Sequence, residues 1–199
     1  MDGVTVAAYR FDPKKLDKLN DLARLDDLVP DLMWDAFDAP DARTVVEVGA
    51  GTGMFAREFA SRMDPSGVLY AVDAEPTMTA WMREHLSEGG GARIEVVDAR
   101  AEALPFADET ADLVYTVNLH HELDDPVRAL AEALRILRPG APIGVVDWKK
   151  EPTPKGPPVE HRAGAERIAE DLAQAGFAEV RAVPVLRYHD VVVGRKPLA

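Results

Sequence analysis

The chain has 199 residues, 47% of them hydrophobic and 29% charged, with a formal net charge of −12. That balance excludes a disordered or fibrous chain, and the length allows one domain, or one domain with a small appendage. The negative charge predicts no nucleic-acid partner, and the absence of cysteine excludes disulfides, thiolate metal sites and cysteine nucleophiles.

Met1 to Tyr9 has no basic start and no long apolar stretch, and no apolar run nears the about 20 residues that span a bilayer. The expectation is a cytoplasmic protein without a membrane partner.

Leucines at Leu16, Leu19, Leu22 and Leu25 fall near helical spacing, and prolines punctuate the segment at Pro30 and Pro40. The pattern predicts one helix from Pro13 to Leu28 and a second from Pro30 to Phe37. Residues 1–40 are read as an N-terminal helical segment, either packed on a core or acting as a lid. Removing them is expected to leave the remainder folded.

From Arg43 the pattern changes. Short β-branched runs start at Thr44, Val68, Ile94, Leu113 and Ile143, without clean polar alternation, as strands covered on both faces require. Helical stretches lie between them, at Gly53 to Met63, Pro76 to Leu86 and Pro126 to Leu137. A proline-rich loop from Glu151 to Val159 and a helix from Ala163 to Ala175 follow. Two final strands, Glu179–Val185 and Tyr188–Gly194, are too close for a crossover and must pair as a hairpin. Residues 41–199 thus predict an α/β fold: a doubly wound, seven-stranded sheet, mostly parallel, with an antiparallel last strand.

The most specific motif is Glu47-Val48-Gly49-Ala50-Gly51-Thr52-Gly53, a strand running into a glycine loop that opens a helix. Glycines there permit positive φ and let a ligand approach the backbone. The dinucleotide pattern G-x-G-x-x-G fails, because Met54 stands at the third glycine position, and no P-loop lysine follows. The carboxylate of Glu47 would repel a pyrophosphate and attract an ammonium or sulfonium. The alternative, a plain glycine turn, makes three alternate glycines after a strand a coincidence.

These residues resemble the first motif of the class I, seven-strand S-adenosylmethionine-dependent methyltransferases. The resemblance continues through Asp73 at the end of the second strand, Asp98-Ala99 after the third, Ala111-Asp112-Leu113-Val114 at the fourth and Leu137-Arg138-Pro139-Gly140 before the fifth. It covers roughly Arg43 to Lys196 and implies S-adenosyl-L-methionine as cofactor. It further implies a glycine cradle of Gly49, Ala50, Gly51 and Gly53, with Asp73 and its neighbour Ala74 on the ribose hydroxyls. Asp98 and Ala99 fall on the adenine, Glu47 on the cofactor's amino group, and Asn118 on the methionine part or on the acceptor. Met78 either packs on the adenine face or is plain core. Replacing Asp73 is expected to weaken cofactor binding with little effect on the fold.

The reaction edge lies beyond the carboxyl ends of the strands. There His120 and His121 are candidate catalytic bases, or one of them caps a helix or packs in the core. Trp148 lines an acceptor pocket or shields the sheet end. Lys149 and Lys150 attract an anionic acceptor or are simply solvated. Tyr9 and Phe11 are candidates for closing over the cofactor. Adjacent residues such as His120, His121, Glu122 and Asp124 seldom converge on one ion, so no metal is expected. The function expected is methyl transfer to a small-molecule acceptor, chiefly by positioning. The alternative is a non-catalytic cofactor-binding module. Oligomeric state and acceptor atom are not legible in the residues.

Overall fold

The leucine-rich stretch after Pro13 breaks in two. In the computed structural model, which describes residues 16–86 and 91–198, it forms α1 (Leu16–Leu19) and α2 (Arg24–Asp27). The break has a local cause. The side-chain amide of Asn20 donates to the Leu16 carbonyl at 3.3 Å, and the Asp21 carboxylate accepts from the Ala23 N–H at 3.0 Å. Such side-chain bonds offer the backbone an alternative to the next helical turn. The second expected helix, α3 (Pro30–Phe37), forms as anticipated, with proline in its first turn.

The remaining elements alternate as the sequence requires. They are β1 (Thr44–Val48), α4 (Met54–Ala60), β2 (Val68–Asp73), α5 (Pro76–His85), β3 (Arg93–Asp98), β4 (Leu113–Val117), α6 (Pro126–Ile136), β5 (Pro142–Trp148), α7 (Ala165–Gln174), β6 (Ala178–Val183) and β7 (His189–Arg195). Short 3₁₀ turns at His120–Glu122 and Val159–His161 interrupt the loops after β4 and β5. The seven strands order as β3-β2-β1-β4-β5-β7-β6. The strands β1 to β5 pair in parallel, and β7 runs antiparallel to both β5 and β6. The chain winds from β1 towards β3 on one side and from β4 outwards on the other, so the crevice opens where β1 and β4 adjoin.

Each face of the sheet carries its own core. On one face α3 and α4 bring Met33, Phe37, Phe55 and Phe59 onto Val45, Leu113 and Tyr115. On the other, α6 and α7 bring Leu130, Ile136, Ile168 and Leu172 onto Val46, Val114, Ile143 and Val145. Consecutive β1 residues Val45 and Val46 thus serve opposite layers, which explains why these strands show no polar alternation. The first core centres on aromatic rings. Phe37 stacks on Tyr115 with centroids 5.7 Å apart, and Phe59 meets Tyr115 edge-on at 4.8 Å. Gly144 makes this approach possible, because a Cβ there would lie 2.3 Å from the Phe37 ring.

The N-terminal segment therefore has two parts of different character. Leu28, Met33 and Phe37 are all but fully buried in the first core, while α1 and α2 sit over the crevice. Phe37→Ala should cost about 3–5 kcal/mol, read from the midpoint of urea unfolding, as removal of a fully packed aromatic side chain does. For the same reason, deletion of the chain before Pro40 should abolish the cooperative unfolding transition, contrary to the sequence-based expectation that the sheet survives it.

Candidate functional site

At the crevice lies a cavity of about 790 Å³, in the upper part of the roughly 300–1,000 Å³ range of small-molecule sites. One end is floored by the loop after β1. Gly49, Gly51 and Gly53 all have positive φ, 75°, 58° and 76°, which explains why glycine recurs at alternate positions. The Gly49 and Ala50 N–H groups donate to the Val72 carbonyl, which ties this loop to β2. Gly49, Ala50, Gly51 and Thr52 line the cavity, whereas Gly53 lies behind them as the residue that starts α4.

Asp73 closes the loop. One carboxylate oxygen accepts the Gly51 N–H at 2.7 Å and the other accepts the Glu75 N–H at 2.9 Å. Each oxygen keeps a second lone pair for a ligand hydroxyl. Burial raises the Asp73 pKa above its usual value, and these two backbone donors oppose the rise. Because the side chain organises the loop, Asp73 also serves the fold, in contrast with the sequence-based expectation. Ala74, Met78 and Ala99 line the same end, and Met78 is buried. Asp98 is not brought there. It ends the edge strand β3, half exposed, and its carboxylate is held by Arg83 and by the Thr79 hydroxyl. Arg100, Ala101 and Glu102 line the cavity instead.

Glu47 is 1% exposed and accepts a hydrogen bond from the Tyr115 hydroxyl at 3.0 Å. Burial pushes its pKa from 4.5 up to about 8, although Tyr115 and the Arg24 charge both act to lower it. At neutral pH it therefore keeps its proton, and the fixed negative charge expected from the sequence is replaced by an acid that a nearby cation would ionise. Asn118 follows β4 in the left-handed region, φ 57°, and its Oδ1 is buried without a hydrogen-bond partner among the described residues, as is the Thr52 hydroxyl. Both residues line the cavity. Buried polar atoms left unsatisfied beside a glycine cradle suit a polar ligand that supplies the missing partners.

The two adjacent histidines part company in the 3₁₀ turn after β4. His120 is buried away from the main cavity, with Nε2 2.9 Å from Asp171, which also receives the Arg167 guanidinium. It ties this turn to α7, a structural role, which removes it from the candidate bases. His121 lines the cavity, and its Nδ1 lies 2.7 Å from Asp147 Oδ1. Asp147 Oδ2 accepts the His121 backbone N–H at 2.9 Å, and Oδ1 also accepts the Trp148 N–H at 2.7 Å. A carboxylate on Nδ1 holds the proton there and leaves Nε2 as the basic nitrogen. Burial works against a charge on His121, but Asp147, with help from Glu122, raises its pKa on balance. Burial likewise opposes the charge on Asp147, and the His121 hydrogen bond and charge overcome it, lowering its pKa.

Trp148 lines the same end, tilted against the His189 ring at 4.0 Å, with the Arg162 guanidinium 5.3 Å from its ring centre. Lys149 and Lys150 do not line the cavity, and the lysines that do are Lys18 and Lys155. Lys155 pairs with Asp27 at 2.7 Å, joining the loop after β5 to α2 across the opening. Tyr9 and Phe11 lie outside the described residues. Sequence reasoning missed His189, Arg24 and Lys155, and placed Asp147 at the reaction edge without giving it a role. His189 was within reach, since an antiparallel last strand begins at the edge where the parallel strands end. Among the described residues, no group of three or more His, Asp or Glu side chains is arranged to hold a metal ion.

Between about pH 4.5 and 8 the folded chain keeps the Glu47 proton while the unfolded chain releases it, so stability falls as pH rises through this window. Glu47→Gln keeps an acceptor for Tyr115 and removes that dependence. Its melting temperature should exceed that of the unaltered protein at pH 8 and approach it at pH 5, as followed by thermal unfolding across the range.

Comparison with known proteins agrees with this geometry. A family model described as a methyltransferase domain matches residues 46–144. The ubiquinone/menaquinone biosynthesis C-methyltransferase UbiE of Hahella chejuensis is 35% identical over 112 residues, covering 56% of this chain and 45% of the relative. Its counterpart from Bordetella avium is 32% identical over 143 residues, 66% of this chain and 56% of the relative. The chain thus spans about half the length of these curated relatives. The crystal structure of an S-adenosylmethionine-dependent methyltransferase from Aquifex aeolicus superposes with a TM-score of 0.88 at 31% identity, covering 94% of this chain and all of that one. The chain belongs to the S-adenosylmethionine-dependent methyltransferase family.

Proposed function

We propose that this protein transfers a methyl group from S-adenosylmethionine to a small-molecule acceptor bound in the same cavity. One observation carries the reading. A single cavity joins a glycine cradle and a strand-end carboxylate at one end to a His–Asp pair at the other. The curated relatives are named for carbon methylation in ubiquinone and menaquinone biosynthesis, which supports a small acceptor for this chain too. No helix among the described residues is long and apolar enough to cross a membrane. We assign the reaction to the cytoplasm, a compartment suited to a chain without cysteine.

The cofactor supplies an activated methyl group on a sulfonium leaving group. The residues of the chain bind, align and exclude water. Asp73 accepts hydrogen bonds from the ribose hydroxyls on the lone pairs left by Gly51 and Glu75. Gly49, Ala50 and Gly51 let the cofactor lie against the backbone. Glu47 and Asn118 would hold the ammonium end, whose positive charge would favour the carboxylate form of Glu47, its proton passing to solvent. Ala74, Met78 and Ala99 cover the base. At the other end His121, oriented by Asp147, accepts a proton from the acceptor through Nε2. Positioning supplies most of the acceleration, and proton transfer contributes about 10²–10⁴-fold.

Calorimetry should detect binding of S-adenosylmethionine or S-adenosylhomocysteine and not of NAD, and tighter binding of NAD would overturn the reading. Asp73→Asn should weaken cofactor binding by about tenfold to a hundredfold, the worth of hydrogen bonds to a charged group.

A metabolite screen read as S-adenosylhomocysteine release should identify an acceptor. With that acceptor, His121→Gln should lower turnover by about 10²–10⁴-fold with cofactor affinity unchanged. Turnover should also fall as pH drops through the His121 pKa, which lies above the ordinary 6.5. Asp147→Asn removes the charge that raises this pKa, so the acid limb of the pH profile should move to lower pH.

A further inference from the structure

Among the described residues, the His189 side chain at the acceptor end has no hydrogen-bond partner. His189 opens β7, and because β7 runs antiparallel, its first residue lies at the edge where the parallel strands end. It pairs across the sheet with Trp148, and both rings sit at the cavity. His189 is 1% exposed, yet neither Nδ1 nor Nε2 makes a hydrogen bond. Folded proteins seldom leave both nitrogens of a buried imidazole unsatisfied. The ring is also held in place, since the Trp148 indole lies 4.0 Å from it, and Gly156 and Arg162 pack on that indole in turn.

The electrical setting fixes what such a ring can recognise. Burial lowers the His189 pKa to about 4, with Arg24 and Arg162 acting in the same direction and Asp147 and Asp27 against it. The ring is therefore neutral at physiological pH and offers one N–H donor and one nitrogen acceptor. A neutral imidazole brings no charge of its own to compensate a carboxylate or phosphate, and the arginines that reach it, Arg24 and Arg162, are opposed by Asp147 and Asp27. It matches an uncharged oxygen, which accepts from N–H or, as a hydroxyl, donates to the bare nitrogen.

We propose that His189 is the recognition residue of the acceptor subsite, held by Trp148, and that it selects acceptors bearing an uncharged hydroxyl or carbonyl oxygen over anionic ones. This rests on the methyltransferase reading and adds the chemical class of the acceptor. His121 and His189 then divide the work: one is held basic by Asp147, and the other is held neutral to bind.

The test uses the full chain loaded with S-adenosylhomocysteine and three one-ring probes, phenol, toluene and benzoate. Binding is followed by ¹⁵N signals of labelled histidine side chains. Phenol should bind about threefold to tenfold more tightly than toluene, the range that one neutral hydrogen bond gives, and more tightly than benzoate. It should move the His189 ring signals. His189→Phe keeps a ring against Trp148 and should erase the preference for phenol over toluene. His189→Gln retains a donor and an acceptor and should keep it, which guards against a folding defect in the first variant. Unmoved His189 signals, a preference that survives His189→Phe, or tighter binding of benzoate would each overturn the proposal. Failure to bind S-adenosylhomocysteine would instead overturn the methyltransferase reading, so the two failures are distinct.

Discussion

Four strands end on a carboxylate or next to one, and satisfying those acids at the rim of a parallel sheet is the constraint around which the site is organised. A buried acid must find donors or keep its proton. Asp73 finds the Gly51 and Glu75 backbone N–H groups, and so shapes the glycine loop. Asp147 finds His121 and two backbone N–H groups, and so orients an imidazole into the cavity. Asp98, at the exposed edge, finds Arg83 and Thr79 and turns away. Glu47 finds, among the described residues, the Tyr115 hydroxyl as its one side-chain donor and retains its proton at neutral pH. Each solution gives its strand end a different chemistry.

The same logic separates the histidines. His121 and His189 share one cavity, and burial disfavours the charged form of both. A carboxylate in direct contact reverses that for His121. For His189 the charges of Asp147 and Asp27 are opposed by those of Arg24 and Arg162, and the effect of burial prevails. A pair of imidazoles with opposed proton affinities at one end of a cavity suits an acceptor that must be both gripped and deprotonated.

The roof links the core to the opening. Phe37 and Leu28 anchor the N-terminal segment in the aromatic core, and α2 extends from that anchor over the crevice, where Asp27 meets Lys155. An ion pair this exposed contributes about 0–1 kcal/mol, so it sets where α2 and the loop after β5 meet more than how stable the fold is. Arg24, at the start of α2, bonds the Leu19 carbonyl, and its charge acts on the Glu47 carboxyl.

Local chemistry made much of this legible in the residues. β-branched runs alternating with capped helices specify a doubly wound sheet, because each element needs only its own neighbours to declare itself. Glycines at 49, 51 and 53 declare a loop of positive φ, and acids after buried strands mark the reaction edge. Local bonding by Asn20 and Asp21 was legible too in principle, though leucine spacing masked it. What only the tertiary structure decided is which groups meet. His121 reaches Asp147 across 26 residues of chain, His120 reaches Asp171 across 51, and Tyr115 reaches Glu47 across 68. Two neighbouring histidines carry the same information in sequence, yet strand order gives one a carboxylate at the cavity and the other a carboxylate on α7. The proton on Glu47 and the bare ring of His189 are likewise products of burial, a property of the packed sheet and not of any segment taken alone.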